Sequence, residues 1–263
     1  MDVITSRQNS SIRAAAKLNH SAALRRQEGK FLLEGARLCR DAVQSGVQVL
    51  TAYFTSDAMQ KYRPYADEIS AKAQQAFEIE PHVAQLLSDT KHSQGVFCVC
   101  QMPPKDPPAS LAHGHYLALE NIQDPANLGA VLRTGEALGI DGVILAGDCC
   151  DLYSPKILRA SMGAVFRLPV YFAPAVLALF SRWHEQGFTT WAAVPAQHAI
   201  PVTKADFSGP SILLVGNEGA GLSDDVIQQA SCCVTIPMRG RAESLNAAAS
   251  ASILMWEMLR GLA

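Results

Sequence analysis

The side chains that could do chemistry lie in glycine-bearing turns in the second half of the chain. In the first turn, Asn127 and Arg133 bring an amide and a cation to the point where a predicted strand gives way to a predicted helix. They are six positions apart, a spacing that does not place two residues on one face of a helix. They can point to one site only if Asn127 lies in the loop or cap before the helix. The second turn contains Gly216, Glu218 and Gly221, and its glycines would let a ligand approach the backbone closely.

A third turn, from Ile236 to Asn246, opens onto the last helix of the chain, and its backbone groups could read the edge of a ligand. Each turn also has a purely structural interpretation. Asn127, Ser244 or Asn246 could cap a helix, Arg133 could be a surface cation, and the glycines could serve a tight turn. Taken singly, the three patterns leave both interpretations open.

The elements that must position these turns alternate between strand and helix. The predicted strands are Tyr116–Leu119, Gly142–Ala146, Leu168–Phe172, Thr189–Val194, Ile212–Val215 and Val234–Pro237. The predicted helices span residues 127–138, 154–163, 175–186, 223–230 and Ser244 to about Arg260. This alternation predicts an α/β fold with a mostly parallel, doubly wound sheet, which binds ligands at the carboxyl ends of its strands.

A proline-rich stretch divides the chain. Residues 1–101 form a small α/β module with one helix predicted around 57–75, residues 102–115 form a linker, and residues 116–263 form the larger α/β domain. The last helix is apolar nearly all round, so we expect it to be buried in the core or against a second subunit.

Composition excludes disorder and disulfide-stapled classes of protein, since 49% of the residues are hydrophobic and 17% are charged. The formal net charge is −2, but residues 1–40 hold eight basic and three acidic side chains, a local charge of +5. That asymmetry is typical of a segment that binds a polyanion, although a solvated helix face would look the same.

Seven cysteines without a CxxC pair predict reduced thiols in a cytoplasmic protein with no metal site. No export signal is recognisable at the start of the chain, and no apolar run is long enough for a membrane span.

Together and in this order, the three turns resemble the motifs of the SpoU (TrmH) branch of the SPOUT RNA methyltransferases. The matching stretches run from Asn121 to Gly139, from Leu214 to Leu222 and from Ile236 to Asn246, and Ser161-Met-Gly-Ala164 also fits. Weaker matches at 4–9, 17–18 and 31–35 resemble the substrate-binding domain of ribosomal-RNA members, which has a small α/β/α fold like that of a ribosomal protein.

The resemblance implies transfer of a methyl group from S-adenosylmethionine to a ribose 2′-hydroxyl of RNA, by a homodimer whose catalytic domain is tied in a deep trefoil knot. It assigns cofactor contacts to Gly216, Gly221, Ile236, Met238, Ser244 and Leu245. It assigns catalytic roles to Asn127, Arg133, Glu218, Ser244 and Asn246.

Arg133 matches a residue sometimes described as a general base. Guanidinium groups stay protonated near neutral pH, so we favour a phosphate clamp that stabilises the developing oxyanion, with Glu218 orienting Arg133 or nearby RNA groups. Candidate RNA contacts are Arg7, Arg25, Arg26, Lys30, Arg239 and Arg241.

Ribosomal RNA is the favoured substrate because of the first domain. Two alternatives stay open: a tRNA 2′-O-methyltransferase of the same fold, and a non-catalytic RNA-binding relative. The intact set of polar residues in the three turns argues against the second alternative.

Overall fold

The computed structural model describes residues 1–103, 110–196 and 198–261. Two compact units are present: Met1–Pro104 with Asp151–Phe166, and Lys105–Cys150 with Arg167–Ala263. Residues 104–109 of the predicted linker lie outside the described part of the chain. The boundaries proposed from sequence for the linker stay predictions.

The first unit is the predicted α/β module. Its strands are β1 (Asp2–Ile4), β2 (Lys30–Glu34), β3 (Val49–Phe54), β4 (Gln75–Ile79) and β5 (Val96–Gln101). Its first six helices are α1 (Ser10–His20), α2 (Ala22–Glu28), α3 (Ala36–Gln44), α4 (Ser56–Lys61), α5 (Arg63–Lys72) and α6 (Pro81–Leu87). The sheet order is β1-β4-β3-β5-β2, and β5 runs antiparallel to both of its neighbours.

Alternation along the strands sends side chains to the two faces of this sheet. Tyr53 and Phe97 pack in one core cluster with residues of α1 and α6. On the other face, Cys39 of α3 hydrogen-bonds with Cys98 of β5, and α3 packs against α5. The module therefore has helices on both sides of its sheet.

The helix predicted around 57–75 is wrong in one respect, because the chain forms two helices there. α4 ends at Lys61, and α5 begins at Arg63 with Pro64 in its first turn. Proline has no N–H to donate to the preceding turn but fits the first turn of a new helix. The break therefore follows from a single residue.

A segment from the middle of the sequence belongs to the first unit. Asp151–Phe166 includes α8 (Pro155–Ala160) and leads into α9 (Ala164–Arg167). Tyr153 stacks on Phe31 of β2 with ring centroids 4.5 Å apart. The single helix predicted over 154–163 is interrupted, since Met162 and Gly163 have φ angles of 50° and 83°.

The second unit is built on seven parallel strands. These are β6 (His115–Glu120), β7 (Gly142–Ala146), β8 (Val170–Ala173), β9 (Thr189–Ala193), β10 (Ile200–Pro201), β11 (Ser211–Val215) and β12 (Cys232–Thr235). Its other helices are α7 (Pro125–Leu138), α10 (Leu177–Glu185), α11 (Asp224–Gln229) and α12 (Ala247–Leu259), with a 3-10 turn at Val202–Lys204. The sheet order is β10-β12-β9-β11-β6-β7-β8. The predicted mostly parallel sheet is confirmed, and each predicted strand lies within two residues of an observed one.

The last helix is buried on one side only. α12 packs against α7 and buries Met255 and Met258, while Ile253 and Trp256 are 39% and 55% exposed. Within the described ranges, no helix has both the length and the apolar character to cross a bilayer.

Candidate active site

The three predicted turns meet at one edge of the second sheet. They follow β6, β11 and β12, which stand in the order β12-β9-β11-β6, and all their pairings are parallel. The carboxyl ends of parallel strands lie at the same edge, where the chain changes direction between strands and leaves a crevice for ligands. The location expected from sequence is therefore observed.

A chain of side-chain hydrogen bonds joins the three turns. The Asn127 amide Nδ2 donates to Glu218 Oε1 over 3.0 Å, and the Asn246 Nδ2 donates to Asn127 Oδ1 over 2.9 Å. Asn127 is buried in the first turn of α7, whose N-terminus is capped by Asp124 instead. The alternative that Asn127 merely caps this helix is therefore wrong.

Asn246 caps α12 and also connects the start of this helix to the first turn. Its Oδ1 accepts hydrogen bonds from the N–H groups of Ala248 and Ala249, at 2.9 and 3.2 Å, and so caps α12. Its Nδ2 remains directed at Asn127. One side chain thus fixes the start of the last helix relative to the first turn, whereas Ser244 is exposed in the preceding loop.

The Glu218 side chain holds the backbone of the first turn and does not pair with Arg133. Its carboxylate accepts the Asp124 N–H at 3.1 Å and the Gln123 N–H at 3.3 Å. Partial burial raises the pKa of this carboxyl, but the hydrogen bonds from the Asn127 amide and from backbone N–H groups lower it by more, so its pKa lies below the ordinary value. Of the two partners expected for Glu218, Arg133 is not one here, because no hydrogen bond or ion pair joins them in the described part of the chain, and the contact with RNA groups stays a prediction.

Arg133 is exposed on α7 and has no anionic partner among the described residues. Six positions along α7 from Asn127 correspond to a rotation of about 240°, which places the two on different faces, one buried and one exposed. Among the residues that the structure describes, none forms a hydrogen bond or an ion pair with the Arg133 guanidinium. Its donors are available to a bound anion.

The second turn folds back on itself around Asn217. The Asn217 Oδ1 accepts the N–H groups of Gly219 and Ala220, its Nδ2 donates to the Asn121 carbonyl over 2.8 Å, and its backbone pairs with Gly221. A Cβ on Gly216 would overlap the backbone of Gly221 and the next residue. Gly216 is therefore required by the close return of the loop.

Three polar residues of this site were missed from the sequence. Asn121 adopts a φ of 56° and accepts the Asp148 N–H at 2.7 Å through its side chain. Buried Glu120 accepts both the N–H and the hydroxyl of Ser223, at 2.9 and 3.1 Å. Asn217 and Asn121 could have been predicted as turn residues, since asparagine is favoured in left-handed and tight turns. Glu120 could not, because in the sequence it resembles the last residue of a strand.

The third turn exposes apolar and basic groups. Ile236 and Leu245 are half-buried, and Met238 is 37% exposed. Arg239 and Arg241 are exposed beside them. No other atom lies within 4 Å of the position where a Cβ on Gly221 would stand, so there is open space above this backbone.

The basic residues predicted in the first unit divide into two groups. Arg7 and Arg26 are exposed, and Lys30 lies 3.7 Å from the Glu28 carboxylate at the surface. Arg25 contradicts the prediction of an RNA contact, because its side chain is buried and ion-paired with Asp151 at 2.5 Å. A guanidinium that is buried and neutralised by a carboxylate is not placed to contact an RNA phosphate.

The seven cysteines are free thiols. Cys149 and Cys150 lie just after β7, and burial raises the pKa of Cys150 to about 12, so it is protonated at neutral pH. Within the described ranges, His, Cys, Asp and Glu side chains form no group of three that could hold a metal ion.

Comparison with known families matches both units. Residues 114–256 match the model of the SpoU rRNA methylase family, and residues 9–98 match the MRM3-like substrate-binding domain.

Individual relatives match over nearly the whole length. The chain is 30% identical to the 23S rRNA (uridine(2479)-2′-O)-methyltransferase of Streptomyces viridochromogenes, over 90% of this chain and 84% of that one. It is 28% identical to the 23S rRNA (guanosine(2553)-2′-O)-methyltransferase RlmP of Bacillus subtilis, over 99% and 100%. The AdoMet-bound rRNA methyltransferase structure from Sinorhizobium meliloti superimposes with a TM-score of 0.89 at 27% identity, over 100% and 98% of the two chains.

Proposed function

This chain belongs to the SpoU rRNA methylase family, and from that premise we propose that it methylates a ribose 2′-hydroxyl of ribosomal RNA with S-adenosylmethionine. Two relatives whose names specify 2′-O-methylation act on 23S rRNA, one at a uridine and the other at a guanosine. The ribose is common to both targets, whereas the base differs. The proposal is accordingly made for the reaction and the class of RNA.

The observation that carries this proposal is the hydrogen-bonded series Glu218–Asn127–Asn246 beside the unpaired Arg133. Three loops from three strands are held in one arrangement, and one permanent cation next to them has no partner in the described part of the chain. A preorganised site with a free guanidinium suits a reaction in which negative charge develops on an oxygen. A non-catalytic RNA-binding module would not need this arrangement.

The second and third turns fit S-adenosylmethionine. Gly221 leaves open space beside the backbone of a loop that Gly216 allows to close on itself, and the half-buried side chains of Ile236 and Leu245 offer apolar contact for an adenine ring. Met238 and Ser244 extend this lining at the exposed side. Backbone groups would supply the polar contacts, as is common where glycines line a site.

S-adenosylmethionine supplies a methyl group on a sulfonium sulfur; transfer forms the O–CH₃ bond at the 2′-oxygen, breaks the S–CH₃ bond and releases the hydroxyl proton. Arg133 binds an RNA phosphate through its fork of donors and stabilises negative charge on the 2′-oxygen. Asn127 and Asn246 keep the first turn and the start of α12 in register, and so would position the loops that surround the reacting groups. Glu218 positions Asn127 and the turn that precedes α7.

The exposed face of α12 is where a second copy of this chain would pack. Ala249, Ile253 and Trp256 are all exposed and recur at helical spacing. A helix with large apolar side chains on both its faces is typical of a subunit interface. We therefore propose that the enzyme is a homodimer, which is also what the family resemblance implies.

The remaining basic candidates would dock the RNA backbone. Arg7, Arg26 and Lys30 lie at the surface of the first unit, and Arg239 and Arg241 lie in the third turn. Phosphate contacts of this kind provide affinity that falls with salt and carry little sequence information.

The test is methyl transfer to RNA that lacks modification. The chain is incubated with methyl-labelled S-adenosylmethionine and either undermodified ribosomal RNA or undermodified tRNA, and the labelled nucleoside is identified by mass spectrometry. We expect label on a ribose of ribosomal RNA. Label on tRNA alone, label on a base, or no label in either RNA would each contradict the proposal.

A further inference from the structure

A cavity of about 650 Å³ lies in the first unit, outside the proposed active site. One wall is the face of α1 that carries Ser11, Ala14 and Leu18, and the other is formed by side chains of β3 and β5, among them Thr51. Its size falls within the range of about 300–1,000 Å³ that is usual for small-ligand sites. Small side chains on α1 leave the space open.

The mouth of this cavity is basic. Arg13 and Lys17 are one helical turn apart on α1, both are exposed, and neither has an anionic partner in the described ranges. Lys30 also lines the cavity, and its charge is offset by Glu28 at 3.7 Å. The uncompensated charge at the mouth is thus positive and suits a phosphate group.

The floor combines apolar and hydroxyl groups. Leu50 and Val99 provide apolar contact, while the hydroxyl-bearing side chains of Ser11, Thr51 and the buried Tyr53 also line the cavity. Hydroxyl groups both donate and accept, so they suit the edge of a nucleobase whichever base is present. A phosphate-binding mouth above an apolar floor with hydroxyls has the chemistry of a nucleotide site.

We propose that this cavity receives one unpaired nucleotide of the RNA substrate, with its base between α1 and the strands and its phosphate at Arg13 and Lys17. The proposal rests on the proposed function, because it takes the ligand to be part of the RNA that is methylated. Proteins that bind RNA at specific places take unstacked bases into such pockets. The site would select single-stranded segments over duplex.

The first experiment fills the cavity. Ala14→Trp places an indole there from an exposed helix position, and Ala71→Trp on α5, beyond the other face of the sheet, is the matched control. Binding of the full chain to fluorescein-labelled oligouridine, single-stranded or annealed to oligoadenosine, is measured by anisotropy. We expect Ala14→Trp to weaken single-strand binding about tenfold, with duplex binding unchanged. Equal single-strand affinity in the two variants would overturn the proposal.

A second experiment tests the charge without changing the space. Lys17→Gln should weaken single-strand binding and lower the slope of log affinity against log salt by about 0.7, whereas Lys72→Gln on α5 should leave the slope unchanged. This variant keeps the proposal testable if Ala14→Trp fails to fold. The proposal would be overturned by an unchanged slope in Lys17→Gln. It would also be overturned if an equal concentration of uridine monophosphate displaced the single strand.

Methyl-transfer kinetics separate this inference from the proposed function. With ribosomal RNA as substrate, Ala14→Trp should raise KM and leave kcat unchanged relative to Ala71→Trp. If Ala14→Trp and Ala71→Trp are both active and have equal KM, the cavity proposal is refuted and the proposed function stands. If both are inactive but still differ in strand binding, methyl transfer is refuted and the cavity proposal stands.

Discussion

Arg133 has no hydrogen bond or ion pair among the described residues, unlike the asparagines and the glutamate that join the three turns. Glu218, Asn127 and Asn246 satisfy one another and the backbone, so their contribution is to hold three loops together. Arg133 is left exposed on a different face of α7. Within this site, positioning residues and the group available to substrate are therefore distinct.

Replacing Arg133 with lysine keeps the charge but removes the planar fork of donors. We expect Arg133→Lys to lower kcat about 100-fold, because a bidentate phosphate contact and its charge stabilisation are lost together. Single-turnover methyl transfer to ribosomal RNA measures this, with Arg182→Lys on α10 as the control. Nearly wild-type turnover in Arg133→Lys would show that no fork is needed.

Individual loops and helices are held in place by close backbone approach and by buried charge. The loop after β11 returns so near to Gly216 that no Cβ fits there. In the first unit, Arg25 of α2 donates to the carbonyl of Leu18 in α1 and pairs with Asp151, which begins the segment that contains α8. The first arrangement is local to one loop, whereas the pair of Arg25 with Asp151 joins segments that are distant in sequence.

Gly216→Ala tests the loop after β11. The added Cβ would force the backbone of Gly221 away, so we expect a loss of about 1–3 kcal/mol in stability and no measurable binding of S-adenosylmethionine. Thermal melting and calorimetric titration measure the two effects. Gly209→Ala is the control, because a Cβ there meets nothing within 4 Å. Normal cofactor binding by Gly216→Ala would contradict the expected role of this loop.

Asp151→Ala tests the buried ion pair. The Arg25 and Asp151 side chains are 5% and 11% exposed, so removing the carboxylate leaves a buried guanidinium without a counter-charge. We expect the free energy of unfolding to fall by about 3–5 kcal/mol, measured in urea.

The control for this variant is Asp67→Ala, which removes an ion pair to Arg63 whose side chains are 74% and 81% exposed. That change should cost at most about 1 kcal/mol, because exposed pairs are well solvated. Similar losses in Asp151→Ala and Asp67→Ala would contradict the stabilising role of the buried pair.

At the scale of the whole molecule, the distribution of charge and of apolar surface matters more than the totals. The net charge of −2 conceals a segment of +5 in residues 1–40, although Arg25 within it is neutralised by Asp151. The apolar surface of α12 is likewise divided between a buried face and an exposed one. The trefoil knot implied by the family resemblance stays a prediction.

Trp256→Glu tests the proposed dimer. A carboxylate at position 256 should prevent burial of the exposed face of α12, which includes Ile253. We therefore expect the variant to be monomeric while the natural chain is dimeric. Sedimentation equilibrium measures the mass directly. Val3→Glu alters another exposed apolar residue, in the first unit, and should leave the dimer intact. A dimeric Trp256→Glu would place the interface elsewhere.

The amino-acid sequence is enough to predict the parallel sheet of the second unit, the three turns at its carboxyl edge and the family to which they belong. These features are local: apolar runs predict buried strands, and glycines at fixed spacing predict tight turns next to them. The break between α4 and α5 was also local, and Pro64 could have predicted it.

The partner that each charged or polar side chain takes becomes visible in the folded chain and not in its sequence. Arg25 meets Asp151 across 126 positions of sequence, and Glu218 meets Asn127 across 91. Nothing near either residue in the sequence distinguishes a buried pair from a surface cation, or a loop anchor from a partner for Arg133. The free energy of such a contact depends on burial and geometry that distant segments create together. For this reason the position of the site could be predicted, but the roles of the charged residues within it could not.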